Sequence, residues 1–195
     1  MSGEYSETNA GNTELIVSFG GMGSKMGSLG TPFEFVRSLR SMKPNTDRYF
    51  YVDHDQCHYH NGITGIADSI PKITKHLRKL ISKYSKVTFI GCSAGGYAAI
   101  LFGSILNVDE VIAFKPQTFL RKTSPWNDLR KFINHTTDYV LFACESVEAA
   151  ESFLHNPRHC DRLSKLKFSN IKVIKRGNLD MRQIRDDGTL EKLLE

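Results

Sequence analysis

The sequence predicts an α/β fold: a three-layer sandwich around a mainly parallel, six-stranded sheet. Three observations lead there. Short apolar runs alternate with stretches of helical periodicity along most of the chain. The runs are close to continuous in apolar residues, as strands covered on both faces require. One of them, Val87-Thr88-Phe89-Ile90, leads directly into Gly91-Cys92-Ser93-Ala94-Gly95 and then into an apolar, alanine-containing stretch. That order is strand, tight turn, helix.

Taken in order, residues 1–12 are polar and acidic with no apolar h-region, so they read as a disordered lead and not as a secretory signal. A single domain is expected over 13–195, because 195 residues suffice for one sizeable core and not for two ordinary ones. Leu15 to Phe19 is the first strand and ends in Gly20-Gly21-Met22-Gly23. Thr31-Pro32 then opens a helix, with Thr31 as N-cap and Pro32 in the first turn, running to about Met42. Arg48 to Asp53 is the second strand, followed by a loop, His54 to Gly62, dense in functional side chains. Asp68-Ser69-Ile70-Pro71 opens the clearest helix: Ile70, Ile73, Leu77, Leu80, Ile81 and Tyr84 step by three and four and share one face. The third strand is the one before Gly91, and the helix after it is apolar nearly all round, the pattern of a buried central helix. Val111 to Phe114, Tyr139 to Ala143 and Ile171 to Ile174 complete the six. Helical pieces are expected over about 147–155 and 158–166, split by Asn156-Pro157, and over 181–194, broken near Gly188.

Apolar content of 40% with 24% charged residues is that of a globular chain, and no apolar run approaches the length of a membrane span. No membrane partner is expected. The net charge of +5 admits an anionic partner. Its basic residues are scattered along expected helix faces and strand ends, however, and no aromatic-plus-basic motif of an RNA-binding sheet is present, so no nucleic-acid partner is expected. Four cysteines (Cys57, Cys92, Cys144, Cys160) form no C-x-x-C pair, and two fall within or at the end of strands. They read as reduced thiols in a cytoplasmic protein.

The G-x-S-x-G turn carries the chemistry. A serine on a sharp strand-to-helix turn sits in a strained conformation that only small neighbours allow, and Gly91 and Gly95 supply them. Ser93 is then thrust out at the amino end of a helix, where backbone N–H groups and the helix dipole favour a developing oxyanion. In parallel sheets the functional crevice lies at the carboxyl ends of the strands. That rim takes in Gly20 to Met22, Asp53 to His60, Ser93, Lys115-Pro116-Gln117 and Cys144-Glu145.

From Leu15 to its end the chain resembles a small member of the α/β-hydrolase superfamily, on the strength of Gly91-Cys92-Ser93-Ala94-Gly95-Gly96 and Gly20-Gly21-Met22-Gly23. The resemblance implies a minimal version of that fold, with strand order 2-1-3-4-5-6 by position in this chain. It implies Ser93 as nucleophile, with the N–H of Ala94 and of Gly21 or Met22 as oxyanion hole. The activity implied is hydrolysis of a small-molecule ester or thioester through acyl-Ser93, with no cofactor. The family pattern places an acid after the next-but-one strand and a histidine in the loop after the last. Here residues 175–182 contain no histidine, none follows His159, and Asn178 stands about where it belongs. Asparagine cannot take the proton of Ser93 near neutral pH.

The acid stays open between Glu145 and Glu148, with Asn156 nearby but unable to act as a carboxylate. The remaining candidates for the base are His155 and His159 after the fifth strand, and His54, His58 and His60 after the second, foremost His159 and His60. Asp53, His54, His58, Gln117 and Asn178 form the expected pocket rim. His58-x-His60 resembles the start of a metallo-β-lactamase motif, but no Asp-His follows and no second ligand cluster exists, so no metal is expected. Gly20-Gly21-Met22-Gly23 is not G-x-G-x-x-G, and its helix begins too late for a dinucleotide loop. Two functions are left: a serine hydrolase, or a catalytically degenerate scaffold that binds a small molecule, glycan or protein.

Overall fold

The computed structural model describes residues 2–22, 33–150, 152–177 and 179–195. Its seven strands are β1 (Glu4–Glu7), β2 (Glu14–Phe19), β3 (Asp47–Tyr51), β4 (Lys86–Cys92), β5 (Glu110–Phe114), β6 (Asp138–Ala143) and β7 (Ile171–Lys175). They form one sheet in the order β1-β3-β2-β4-β5-β6-β7. Every pairing from β3 to β7 is parallel, and β1 runs antiparallel to β3. The expected six-stranded sheet of order 2-1-3-4-5-6 is therefore corrected to a mixed, seven-stranded one.

The added strand comes from the stretch read as a disordered lead, and side-chain chemistry explains why it pairs. Glu7 accepts from the Arg48 guanidinium at 2.9 Å and from Arg40 Nε at 3.0 Å, and Tyr5 stacks on Phe50. None of these partners is near in sequence, so polarity alone made the segment look unpartnered.

Strand residues alternate between two cores. Val17, Phe19, Phe89, Val111 and Leu141 face one side, packed under α2 (Ile70–Ile81), α3 (Ala94–Leu106) and α4 (Arg158–Ser164). Ile16, Phe50, Ile90, Ile112 and Phe142 face the other, covered by α1 (Val36–Met42), α5 (Met181–Asp186) and α6 (Thr189–Leu194). Both faces being covered is why the strands read as continuous apolar runs. Helix α2 buries Ile70, Ile73, Leu77 and Leu80, the face that its spacing predicts. Helix α3 is buried almost all round because it lies over β2, β4 and β5 at the centre of the sheet.

Two helix boundaries differ from expectation. Helix α1 begins at Val36, after Phe35 in a left-handed conformation (φ 64°), and the anticipated cap Thr31-Pro32 lies outside the described residues. The helix expected over 147–155 reduces, among the described residues, to a 3-10 turn, Phe153–His155. Serine side chains capture its backbone donors: Ser146 Oγ accepts from Ala149 N–H and Ser152 Oγ from Leu154 N–H. Pro157 then holds Asn156 at an extended ψ of 129°. No helix of the described residues is long and apolar enough to cross a membrane. The four cysteines are thiols, not disulfides.

Candidate functional site

The site is built where β4 turns into α3. Ser93 has φ 55° and ψ −117°, a conformation that costs about 1–3 kcal/mol for a residue with a side chain. Close packing maintains it. A Cβ on Gly91 would lie 2.3 Å from the Gly95 carbonyl, and one on Gly95 would lie 2.0 Å from the Phe19 carbonyl oxygen. Strand end, helix start and the end of β2 thus interlock through bare backbone. Ser93 N–H donates to the Phe114 carbonyl at 2.9 Å, and its own carbonyl accepts from Tyr97 N–H at 3.0 Å. The hydroxyl is left facing the rim.

His155 meets it there. Its Nε2 lies 3.1 Å from Ser93 Oγ. The imidazole is delivered by the 3-10 turn, held by the Ser152 cap before it and by Asn156 after it, whose Oδ1 accepts from Arg158 N–H at 3.0 Å to start α4. Reading 147–155 as regular helix hid this placement. The available signal was a histidine on the rim just ahead of a proline.

The loop after β2 lies alongside. The point where a Gly21 Cβ would stand is 3.6 Å from Ser93 Cβ and 3.3 Å from Glu34 Oε1. Gly21 N–H donates to the Glu34 carboxylate, yet burial prevails and pushes that group up to about 7. Ser18 Oγ donates to the Glu34 carbonyl at 3.0 Å and holds the residue in place. Nothing in Phe33-Glu34-Phe35 marks this carboxyl in the sequence. Ala94 is the first residue of α3, so its N–H has no acceptor within the helix and stands next to Ser93. Met22 lines the neighbouring cleft.

The other expected site residues are placed elsewhere on the rim. His159 Nδ1 accepts from Thr118 N–H at 3.1 Å, and burial lowers its pKa to about 4. It is a neutral acceptor turned toward Thr118. His60 pairs through Nε2 with Tyr97 Oη at 2.9 Å, and burial, with Lys122 and His58 adding to it, likewise takes it to about 4. Tyr97 Oη donates onward to the Trp126 carbonyl at 2.7 Å, so His60 Nε2 carries the proton it donates. His58 hydrogen-bonds with Gln117 and is also lowered by burial. Asp53 braces its own loop, accepting from Cys57 N–H at 2.7 Å and Tyr59 N–H at 2.8 Å. His54 lines a separate recess with Asp55 and Asn61. Glu145 and Glu148 are exposed after β6, where the Glu148 carboxylate is lowered by its own backbone N–H and by the Ser146 hydroxyl. Asn178 lies outside the described residues. Among the described residues no group of three or more His, Cys, Asp or Glu side chains is placed to hold a metal ion.

No protein-family model matches the sequence, nor does any curated protein. Solved structures do. The chain superposes with a TM-score of 0.70 on a variant of the capsule O-acetyltransferase of Neisseria meningitidis serogroup A in complex with CoA, at 14% identity, over 98% of this chain and 91% of that one. Against fluorophosphonate-binding serine hydrolase F of Staphylococcus aureus, substrate bound, the TM-score is 0.62 at 13% identity, covering 96% and 84%. Against Est1E from Butyrivibrio proteoclasticus it is 0.58 at 12% identity, covering 98% and 93%. The fold is that of the α/β-hydrolases. Within an α/β-hydrolase scaffold the triad runs in chain order serine, acid, histidine. In this chain the histidine beside Ser93, His155, comes from the segment after β6, one strand earlier.

Proposed function

We propose that the protein is a serine acyl-transfer enzyme that takes the acyl group of a small-molecule ester or thioester onto Ser93 and passes it to water. The observation that carries this reading is the 3.1 Å approach of His155 Nε2 to Ser93 Oγ across a strained turn. A serine hydroxyl is a weak nucleophile until an adjacent base removes its proton during attack, and an imidazole at hydrogen-bond distance does this near neutral pH. The tetrahedral oxygen would be met by the Ala94 N–H at the start of α3, with Met22 opposite, since the Gly21 N–H is taken by the Glu34 carboxylate. His155 would then return the proton to the leaving oxygen or sulfur, and water would repeat the sequence in reverse. The same contact weighs against a degenerate scaffold, in which nothing keeps a histidine on an idle serine. Likeness to serine hydrolases and to an O-acetyltransferase supports both acceptors, water and a hydroxyl.

A fluorophosphonate probe and a generic p-nitrophenyl ester test this together. Ser93→Ala should abolish labelling, and His155→Ala should slow it by about 10³-fold or more. His159→Ala and His60→Ala should retain most of it, since those rings serve Thr118 and Tyr97. Labelling that survives His155→Ala would place the base elsewhere. Absence of labelling in the unmodified protein would return the degenerate scaffold.

A further inference from the structure

A cleft of about 630 Å³ opens directly beside the Ser93–His155 pair: Leu154 and Asn156, the neighbours of His155 in sequence, line it, as does Met22 of the oxyanion loop. Its charge is one-sided. Arg121, Lys122, Arg158 and Arg162 line it, and no Asp or Glu does among the described residues. Arg162 is neutralised from behind by Asp128 at 3.1 Å, whereas no carboxylate among the described residues pairs with Arg121, Lys122 or Arg158. The other half of the wall is apolar and open. Phe153 and Phe119 are 68% and 41% exposed, with the Arg121 guanidinium 5.2 Å from the first ring and that of Arg162 4.9 Å from the second. Among its lining residues Gln117 is 1% exposed, and its amide Nε2 has no partner among the described residues. A buried amide donor left over in a lined cleft is a cost unless a ligand acceptor meets it.

We propose that this cleft binds the phosphorylated tail of an acyl thioester and feeds its acyl end to Ser93. The inference rests on the acyl-Ser93 reading for the destination of the acyl group, and on the cleft alone for the tail. Phosphates suit three cations that no carboxylate among the described residues neutralises: two arginines able to bind in a fork, and Lys122, whose ammonium also donates to the Cys57 carbonyl at 3.0 Å. A flat base suits exposed rings already backed by guanidinium groups. An apolar arm between them would cover Leu154, 50% exposed, which a small anionic ester would leave wet. The volume lies within the range of cofactor-sized sites. In the step itself, the Ser93 Oγ–acyl bond forms and the carbonyl–sulfur bond breaks. The hydroxyl proton goes to His155 and from there to the departing sulfur, so acyl-Ser93 and a free thiol result.

The test uses the whole protein and a ligand series: acetyl-CoA, dephospho-acetyl-CoA and acetyl-pantetheine, titrated calorimetrically at low and high salt. The expected order of affinity is the order of phosphate number, with at least about tenfold between the ends and a marked loss on adding salt. Arg121→Glu with Arg158→Glu should weaken acetyl-CoA by at least about tenfold and leave acetyl-pantetheine nearly unmoved. Equal affinity across the series, or no binding, overturns the assignment. The series needs no variant, so a misfolded double mutant does not rescue it. Fluorophosphonate labelling, read in parallel, separates the two readings. Labelled Ser93 without acetyl-CoA binding removes the cleft assignment and leaves the serine enzyme. Ordered binding without labelling removes the acyl-Ser93 reading and leaves the tail site.

Discussion

Replacing Gly95 by alanine adds a single methyl group, and the structure says how badly it fits. The new Cβ would stand 2.0 Å from the Phe19 carbonyl oxygen, with the Phe19 carbonyl carbon at 2.8 Å and the Gly20 carbonyl carbon at 2.9 Å. The first contact is about 1.4 Å short of the 3.4 Å at which ordinary van der Waals contact begins. All three atoms are backbone at the end of β2, so no rotamer change relieves them, and β2 is bonded on both sides to β3 and β4. Overpacking of this kind costs typically 1–3 kcal/mol, and this case belongs at or beyond the upper end because the obstacle is backbone. Alanine's better helix propensity returns about 1 kcal/mol. A net loss of about 2 kcal/mol or more follows, which in a domain of this size lowers Tm by roughly 4–8 °C. The displacement also moves Gly20 and Gly21 away from Ser93, so labelling should fall more than stability. Gly188→Ala is the control: it meets no atom within 4 Å and pays only for its φ of 76°, about 1–2 kcal/mol, with labelling intact. Thermal unfolding and fluorophosphonate labelling of both variants check the argument. A Gly95→Ala protein that melts within a degree or two of the parent and labels normally would refute it.

Two pH responses follow from carboxylates at opposite ends of the titration range. Glu34 is raised by burial from 4.5 to about 7, so folding favours its protonated form. Its contribution to stability is full below about pH 4.5, falls as pH rises toward about 7 and is flat above, and Glu34→Gln should remove that slope from the stability–pH curve. Ester turnover of Glu34→Gln should lose a titration near pH 7, because the carboxylate that accepts the Gly21 N–H is gone. Glu7 is lowered from 4.5 to about 2, chiefly by its bond from Arg40, so its contribution is present above about pH 4.5 and is lost as pH falls toward 2. Glu7→Gln should cost about 1 kcal/mol at pH 7, discounted because Arg40 is exposed, and should speed hydrogen exchange in β1 before the rest of the sheet.

The six strands from β2 to β7, the central helix and the turn that carries Ser93 were legible in the sequence, because each is decided by neighbours along the chain. Continuous apolar runs say that both faces are covered, the three- and four-residue steps of Ile70 to Leu80 say which face of α2 is buried, and Gly91 and Gly95 say that backbone passes backbone around Ser93. What the sequence withheld depends on partners far along the chain. Glu4–Glu7 looks unstructured until Arg40, Arg48 and Phe50 are brought beside it. Glu34 is an ordinary surface acid until the end of β2 folds Gly21 against it and takes it out of water. His155 and His159 stand four residues apart, and the sequence puts His159 foremost. Tertiary structure separated them, because serine caps and Pro157 replaced a regular helix with a 3-10 turn that aims His155 at Ser93, while the first turn of α4 aims His159 at Thr118. Local chemistry thus determined which hydroxyl stands on the strained turn, and long-range closure of the loop after β6 decided which imidazole faces it.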